Sequence, residues 1–305
     1  MKTSVFFRQA ELLLRVLPQV HDEDCFAIKG GTALNFFVLN MPRLSVDIDL
    51  TFLPITPRDK ALRDINAALQ GIAERIKRVM PDARIEQGKV KSGDLVNKLF
   101  VGKDGAQIKI ESNDIIRGTV FPCEERTLVK GAEDLFELSV SARALSVADL
   151  YGGKLCAALD RQHPRDLFDV KLLLEGGGIS EDIRKAFVVY LASHNRPMNE
   201  LLNPSRQDIR PVFESDFKDI STVEVTCDDL VAVRDRLPQE LLRLLTKNER
   251  RFLLSVKKGE PEWDLMDIEV LSRLPALQWK IQNVRRMPLE KKKRELKELQ
   301  RILKL

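Results

Sequence analysis

The residues best suited to chemistry lie in one short stretch, KGGTALNFFVLNMPRLSVDIDL, residues 29–50. Within it, LSVDIDLTF (44–52) alternates in period two around its carboxylates, as a half-buried strand does. Ser45, Asp47 and Asp49 therefore share one face. Two carboxylates side by side repel each other unless a cation stands between them. Hard oxygen ligands at this spacing suit Mg²⁺, which keeps several waters and bridges to substrate phosphates. Upstream, Gly30-Gly31-Thr32 forms a turn just before a helical run, and backbone N–H groups at a helix start receive anions. One segment thus supplies a phosphate cradle and a platform for a metal. A lone Asp-x-Asp also occurs on plain exposed strand faces; the glycine pair upstream favours the chemical reading.

A second candidate is Gln107-Ile108-Lys109-Ile110-Glu111. Alternation buries the isoleucines and puts Lys109 and Glu111 together on the opposite face, where Glu111 completes a three-carboxylate cage for two metal ions. An ordinary Lys/Glu strand surface has the same pattern. Farther on, Lys154 sits on one predicted helix, and Asp166 and Asp169, three residues apart, share a face of the next. Lys154 can neutralise phosphate charge as a transition state develops. The plainer readings are a solvated lysine and two acids stabilising a helix N-terminus after Pro164. His163 reads as a loop residue.

These groups need elements to hold them. Phe6–Leu17 has helical spacing and is predicted to stop at Pro18; CFAIK (25–29) reads as a buried strand ended by the glycines, and TALNFFVLN as the helix that follows. Ala61–Val79 reads as a surface helix, followed by strands ARIEQGKV (83–90), NKLFVG (97–102) and AQIKIESN (106–113), with a hairpin at Asp104-Gly105. That makes a mixed sheet of about four or five strands. From Ser139 the pattern turns helical. Ser146 with Asp149 starts VADLYGGKLCAALDR as a capping box, and RDLFDVKLLLE follows after His163-Pro164. Further helices are expected at 180–194, 228–246 and 247–256, then a helical tail with leucines at 289, 296 and 303, where packing on the body is favoured over a two-heptad coiled coil. The fold class is α+β, with an α/β domain over 1–138 and a helical domain over 139–305.

Composition narrows the classes. A hydrophobic fraction of 44% suits a globular core. No run of 18 uncharged apolar residues occurs, so no membrane span is expected, and Arg8, Gln9 and Glu11 interrupt any secretory signal. Cys25, Cys123, Cys156 and Cys227 are scattered without metal-ligand spacing and read as reduced thiols of a cytoplasmic protein without a zinc site. From Lys280 to Leu305, ten Lys/Arg stand against three Glu, a net +7; the chain's total is +4, so the body carries −3. A basic tail on such a body fits a phosphate-bearing partner, or else a solvated helix face.

The order GGTAL, RLSVDID, KIE, a helix with Lys154 and then RDLFD resembles the AbiEii/AbiGii-type nucleotidyltransferases, toxins of type IV toxin–antitoxin systems. The likeness covers residues 25–175 and, more weakly, NERRFLLSVKKGEPEWDLM (248–266). It implies a DNA-polymerase-β-like nucleotidyltransferase fold and Mg²⁺-dependent transfer from an NTP to RNA, with tRNA as the expected acceptor and a cognate antitoxin as possible partner. Gly30, Gly31, Thr32, Ser45, Lys154, Arg165 and Asp166 would then contact nucleotide. Asp47, Asp49 and Glu111 would hold metal, with Asp49 bridging two ions about 3.5–4 Å apart and Glu111 orienting the nucleophile's ion or acting as base. Lys154 would grip phosphates, and Asp169 would position or deprotonate the acceptor. Rival readings are a small-molecule or protein acceptor, and a non-catalytic module that binds NTP or RNA.

Overall fold

The computed structural model describes residues 4–89 and 95–305. The chain forms two compact units, Met1–Ser146 with Ile220–Val223, and Val147–Asp219 with Glu224–Leu305. In the first, the order is α1 (Val5–His21), β1 (Phe26–Lys29), α2 (Gly30–Phe37), β2 (Asp47–Phe52), α3 (Arg58–Val79), β3 (Arg84–Lys89), β4 (Val96–Lys103), β5 (Ala106–Ser112), β6 (Glu124–Thr127), α4 (Lys130–Phe136) and β7 (Ser141–Ala144). Among the described residues the strands make one seven-stranded sheet, ordered β3-β4-β5-β2-β1-β7-β6. It is mixed: β2 runs parallel to β5 and β1 parallel to β7, while the other neighbours are antiparallel. The expected strand 83–90 ends at Lys89; Val90 lies outside the described residues.

One face of this sheet is apolar. Ile48 and Leu50 of β2, Leu99 and Val101 of β4, and Ile108 and Ile110 of β5 are all buried. Burying each such side chain stabilises by about 1.5–3 kcal/mol relative to leaving it exposed. A one-residue slip of β2 or β5 would turn this set toward solvent, so the apolar residues fix the register of the polar ones between them. Between β4 and β5, Asp104 and Gly105 both adopt positive φ, 49° and 74°, as a type I′ turn requires. The first helix does not stop at Pro18 but continues to His21. Pro18 removes one N–H, yet Leu17 and Val20 on that last stretch are buried, and their packing holds the final turn. The chain also returns to this unit, with Leu44 N–H donating to Ile220 O at 2.8 Å and Thr222 N–H to Pro42 O at 2.9 Å, bracing the approach to β2.

The second unit is helical: α5 (Val147–Arg161), α6 (Pro164–Glu175), α7 (Glu181–Ser193), short α8 (Met198–Leu202) and α9 (Arg210–Val212), α10 (Cys227–Leu244), α11 (Lys247–Lys258), α12 (Pro275–Arg285) and α13 (Leu289–Leu303). Local caps explain several starts. Ser180 accepts from Ile183 N–H, and Thr226 with Asp229 and Thr246 with Glu249 make capping boxes. The tail helix α13 packs on its own unit. Its buried residues are Glu295, Leu299 and Leu303, whereas Leu289 is 62% exposed, so the contact face repeats every four residues, not every seven. Lys280, counted with the basic tail, is buried: its ammonium donates to the carbonyls of His194 at 2.6 Å and Arg196 at 2.8 Å. No helix among the described residues is long and apolar enough to cross a membrane.

Candidate active site

Strand register assembles a line of charge across the sheet. Lys29 of β1 is paired with Asp49 of β2, Asp49 with Glu111 of β5, and Glu111 with Lys98 of β4. Directly paired residues project to the same side, and so do residues two apart on one strand. Asp47 and Lys109, themselves paired, join the same face. Three carboxylates and three ammonium groups thus share the polar side of four adjacent strands.

The N-terminus of α2 opens against this face. The glycines do not form a turn before the helix, as expected, but are its first residues, with Lys29 as N-cap. N–H groups in a first helical turn have no intrahelical partner and are available to an anion. Gly30 has φ +70°, and a Cβ there would lie 2.7 Å from Asp49 Oδ2. The carboxylate and the helix start are therefore in direct contact, and glycine is needed for conformation and for space. Gly30→Ala is expected to lower stability by roughly 1–2 kcal/mol through the left-handed conformation alone. It should also impair catalysis by displacing Asp49, and thermal unfolding beside a nucleotide-transfer assay would check both effects.

A Cβ on Gly31 would meet Arg43 Nη2 at 2.7 Å and Ser45 Oγ at 3.1 Å. Arg43 was not singled out from the sequence. Its side chain is 2% exposed and donates from Nη1 to Leu44 O at 3.0 Å, which sets a buried guanidinium against the first turn of α2. The clue was an arginine inside the otherwise apolar approach to Asp47. Thr32 and Ser45, expected at the nucleotide, bind each other: Thr32 Oγ1 donates to Asp47 O at 2.6 Å and lies 3.0 Å from Ser45 Oγ. These two buried hydroxyls join α2 to the start of β2.

Both oxygens of Glu111 are engaged, Oε1 by Lys98 Nζ at 2.9 Å and Oε2 by Lys109 Nζ at 2.8 Å. Burial would raise the Glu111 pKa, but hydrogen bonds from Lys109 and Lys98 outweigh it and hold the carboxyl below its ordinary value. Burial would likewise depress Lys109; the Glu111 hydrogen bond and the charges of Asp47, Glu111 and Asp49 overcome it, and the ammonium is held above the ordinary lysine range. Lys109 therefore feels all three carboxylates at once. Among the described residues, no three His, Cys, Asp or Glu side chains are gathered closely enough to hold a metal ion by themselves. Mg²⁺ needs only one or two carboxylates beside phosphate and water, which Asp47 and Asp49 could supply from this face.

The helical unit forms its own cluster. Lys154 on α5 is 6% exposed and pairs with Asp166 at 2.8 Å and Asp169 at 3.0 Å, both on α6. Arg161 also grips Asp166, from Nε and from Nη2 at 3.0 Å. Burial alone would raise the Asp166 pKa, but Lys154 and Arg161 hold it far below the usual carboxylate range. His163 accepts from Arg165 N–H through Nδ1 and caps α6; burial and then Arg165 push its pKa down to about 4. It is a neutral capping residue at physiological pH. The cluster brings Lys154, Asp166 and Asp169 together, while Arg165 is half-buried beside it in sequence.

A family model described as "Nucleotidyl transferase AbiEii toxin, Type IV TA system" matches residues 11–283. Among solved structures, the chain is similar to MenT4, a nucleotidyltransferase toxin from Mycobacterium tuberculosis H37Rv. The identity is 16% and the TM-score 0.61, over 82% of this chain and 87% of that one. At that identity the likeness is one of fold. No curated protein sequence matches. The carboxylate face, the glycine-opened helix and a family match over most of the chain agree: this chain belongs to the AbiEii nucleotidyltransferase toxins of type IV toxin–antitoxin systems.

Proposed function

We propose that this toxin takes a magnesium-bound nucleoside triphosphate and transfers its nucleotidyl group to an RNA acceptor, tRNA before others. The observation that supports the reading best is the pairing Lys29–Asp49–Glu111–Lys98, with Asp47 beside it and Gly30 against Asp49. Asp47 and Asp49 would hold magnesium, with Glu111 joining them once its lysines let go. Bound there, the ion would polarise the phosphate under attack and offset the charge building on the leaving group.

The chain's own groups do the rest. The first-turn N–H groups at Gly30 and Gly31 bind phosphate oxygens, with Arg43 adding positive charge behind them. Thr32 and Ser45 keep that turn at a fixed distance from the aspartates. The acceptor hydroxyl attacks the α-phosphorus and forms a P–O bond; the bond to the β-phosphate oxygen breaks and pyrophosphate departs. If Glu111 stays off the ion, it is instead placed on this face to take the hydroxyl proton when unpaired. By family likeness, Lys154 and Arg165 would be candidates for phosphate contact and Asp169 for acceptor contact, with Asp166 holding Lys154 in place. The exposed cations of α13, among them Arg294, Lys297 and Arg301, would meet RNA backbone and make binding salt-dependent. The antitoxin of the pair and a cytoplasmic site of action complete the reading.

The test is a transfer assay with each α-labelled NTP, total RNA, and magnesium or a chelator. Label in RNA that the chelator abolishes is the expected result. Label in protein or in small molecules with RNA blank would move the acceptor; no label anywhere would remove the catalytic assignment of this face.

A further inference from the structure

We propose that Lys109 is a resident counter-ion of the carboxylate face, standing in for the divalent cation until nucleotide arrives and then moving to the triphosphate. The inference rests on the reading of Asp47 and Asp49 as the magnesium carboxylates, and it adds a residue with a stated exchange role.

Three observations carry it. Lys109 is paired across the strands with Asp47 and reaches Glu111 Oε2 at 2.8 Å, so one ammonium lies between acids of both strands. Paired strands stand about 4.8 Å apart, close enough for Asp47, Asp49 and Glu111 to repel strongly without a cation. Second, this same contact keeps Glu111 turned onto lysines, and no ready-made metal cluster exists among the described residues. Third, the pair is reachable: Lys109 and Glu111 side chains are each 31% exposed, against 6% for Lys154 in the helical unit.

Magnitudes decide between a lock and a placeholder. A partly exposed ion pair contributes roughly 0–1 kcal/mol, whereas a buried one resists removal of either partner by about 3–5 kcal/mol. The Lys109–Glu111 contact belongs near the first class, so an arriving divalent ion with its triphosphate can displace it. Charge count points the same way. Three carboxylates set against Lys29, Lys98, Lys109 and a divalent cation would leave the face two charges positive, which an added anion corrects. A freed Lys109, tethered beside Asp47, is a flexible cation placed to meet that anion.

Mn²⁺ titration without nucleotide, followed by electron paramagnetic resonance, reads the exchange directly. Lys109→Met is expected to bind Mn²⁺ roughly tenfold more tightly than wild type, the effect of removing one competing like charge. In saturating Mn²⁺ it should bind a non-hydrolysable NTP several-fold more weakly. Lys109→Gln, which keeps polarity and bulk, should behave likewise, and Lys109→Arg should stay close to wild type on both measures. If wild type, with nucleotide or without, and Lys109→Met are all as blind to Mn²⁺ as Asp49→Asn, the carboxylate reading itself falls and takes this one with it. If wild type binds, Asp49→Asn does not, and neither neutral variant binds more tightly, the placeholder role alone is overturned.

Discussion

Asn in place of Asp49 is expected to cut nucleotidyl transfer by about 10³-fold or more, the scale of losing one positioned electrostatic group in a reaction centre, while the protein stays as stable as before or gains slightly. Both halves follow from its position. Asp49 is paired with Lys29 on one side and Glu111 on the other, shares a face with Asp47, and touches the start of α2 at Gly30. The amide is isosteric, so β2 and the Gly30 contact keep their shape. Removing one of three mutually repelling carboxylates relieves the folded state, a common trade at sites built for function. Single-turnover label transfer and thermal unfolding on the same preparations decide the matter. A variant retaining a tenth of the wild-type rate would show that Asp49 is not at the reacting centre. A melting temperature lower by several degrees would show that it serves the fold.

Why this face was legible from residue order, when other parts were not, comes down to range of interaction. On β2 and β5, acids alternate with isoleucines, and period-two burial places them without knowledge of any neighbour. The Asp104-Gly105 hairpin is equally local, resting on groups within about a turn. By contrast β6, EERT, is a charged edge, and β7, SARA, has no bulky strand-forming residue; only pairing with each other and with β1 makes them strands. The line from Lys29 to Lys98 depends on register between four strands that are distant in sequence, so Lys29 and Lys98 drew no notice as site residues. Thr32 and Ser45 each have the chemistry of a phosphate contact, and only the fold reveals that they bind one another. In the tail, packing was favoured over a seam of leucines seven apart, and it occurs, but through Glu295, Leu299 and Leu303, with Lys257 of α11 paired to Glu295.

Lys154→Met is expected to destabilise the helical unit by about 3–5 kcal/mol, because it leaves Asp166 and Asp169 buried with one of their cations gone. For a unit of this size that corresponds to a fall in melting temperature of roughly 10 °C. Lys154 reaches both acids within 3.0 Å and ties α5 to α6. The effect also has a pH signature. The folded-state pKa of Asp166 lies below the ordinary aspartate value of 3.8, so its pairing stabilises fully above that value and is lost as pH falls toward the folded pKa. Loss of Lys154 weakens that depression, and the variant should show a shallower loss of stability on acidification than wild type. A catalytic role for Lys154 is a separate question, and the charge-matched variant separates it. Lys154→Met combined with Asp169→Asn removes one positive and one negative charge, leaves Asp166 with Arg161, and should recover most of the lost stability. If transfer activity returns with it, Lys154 acts by holding the two helices. If the restored fold remains inactive at a temperature where unfolding is negligible, the ammonium or the Asp169 carboxylate is itself required. Asp169→Asn alone then tells which, since Lys154 still has Asp166 as partner in that variant. A single Lys154→Met variant as stable as wild type would overturn the account of this cluster altogether.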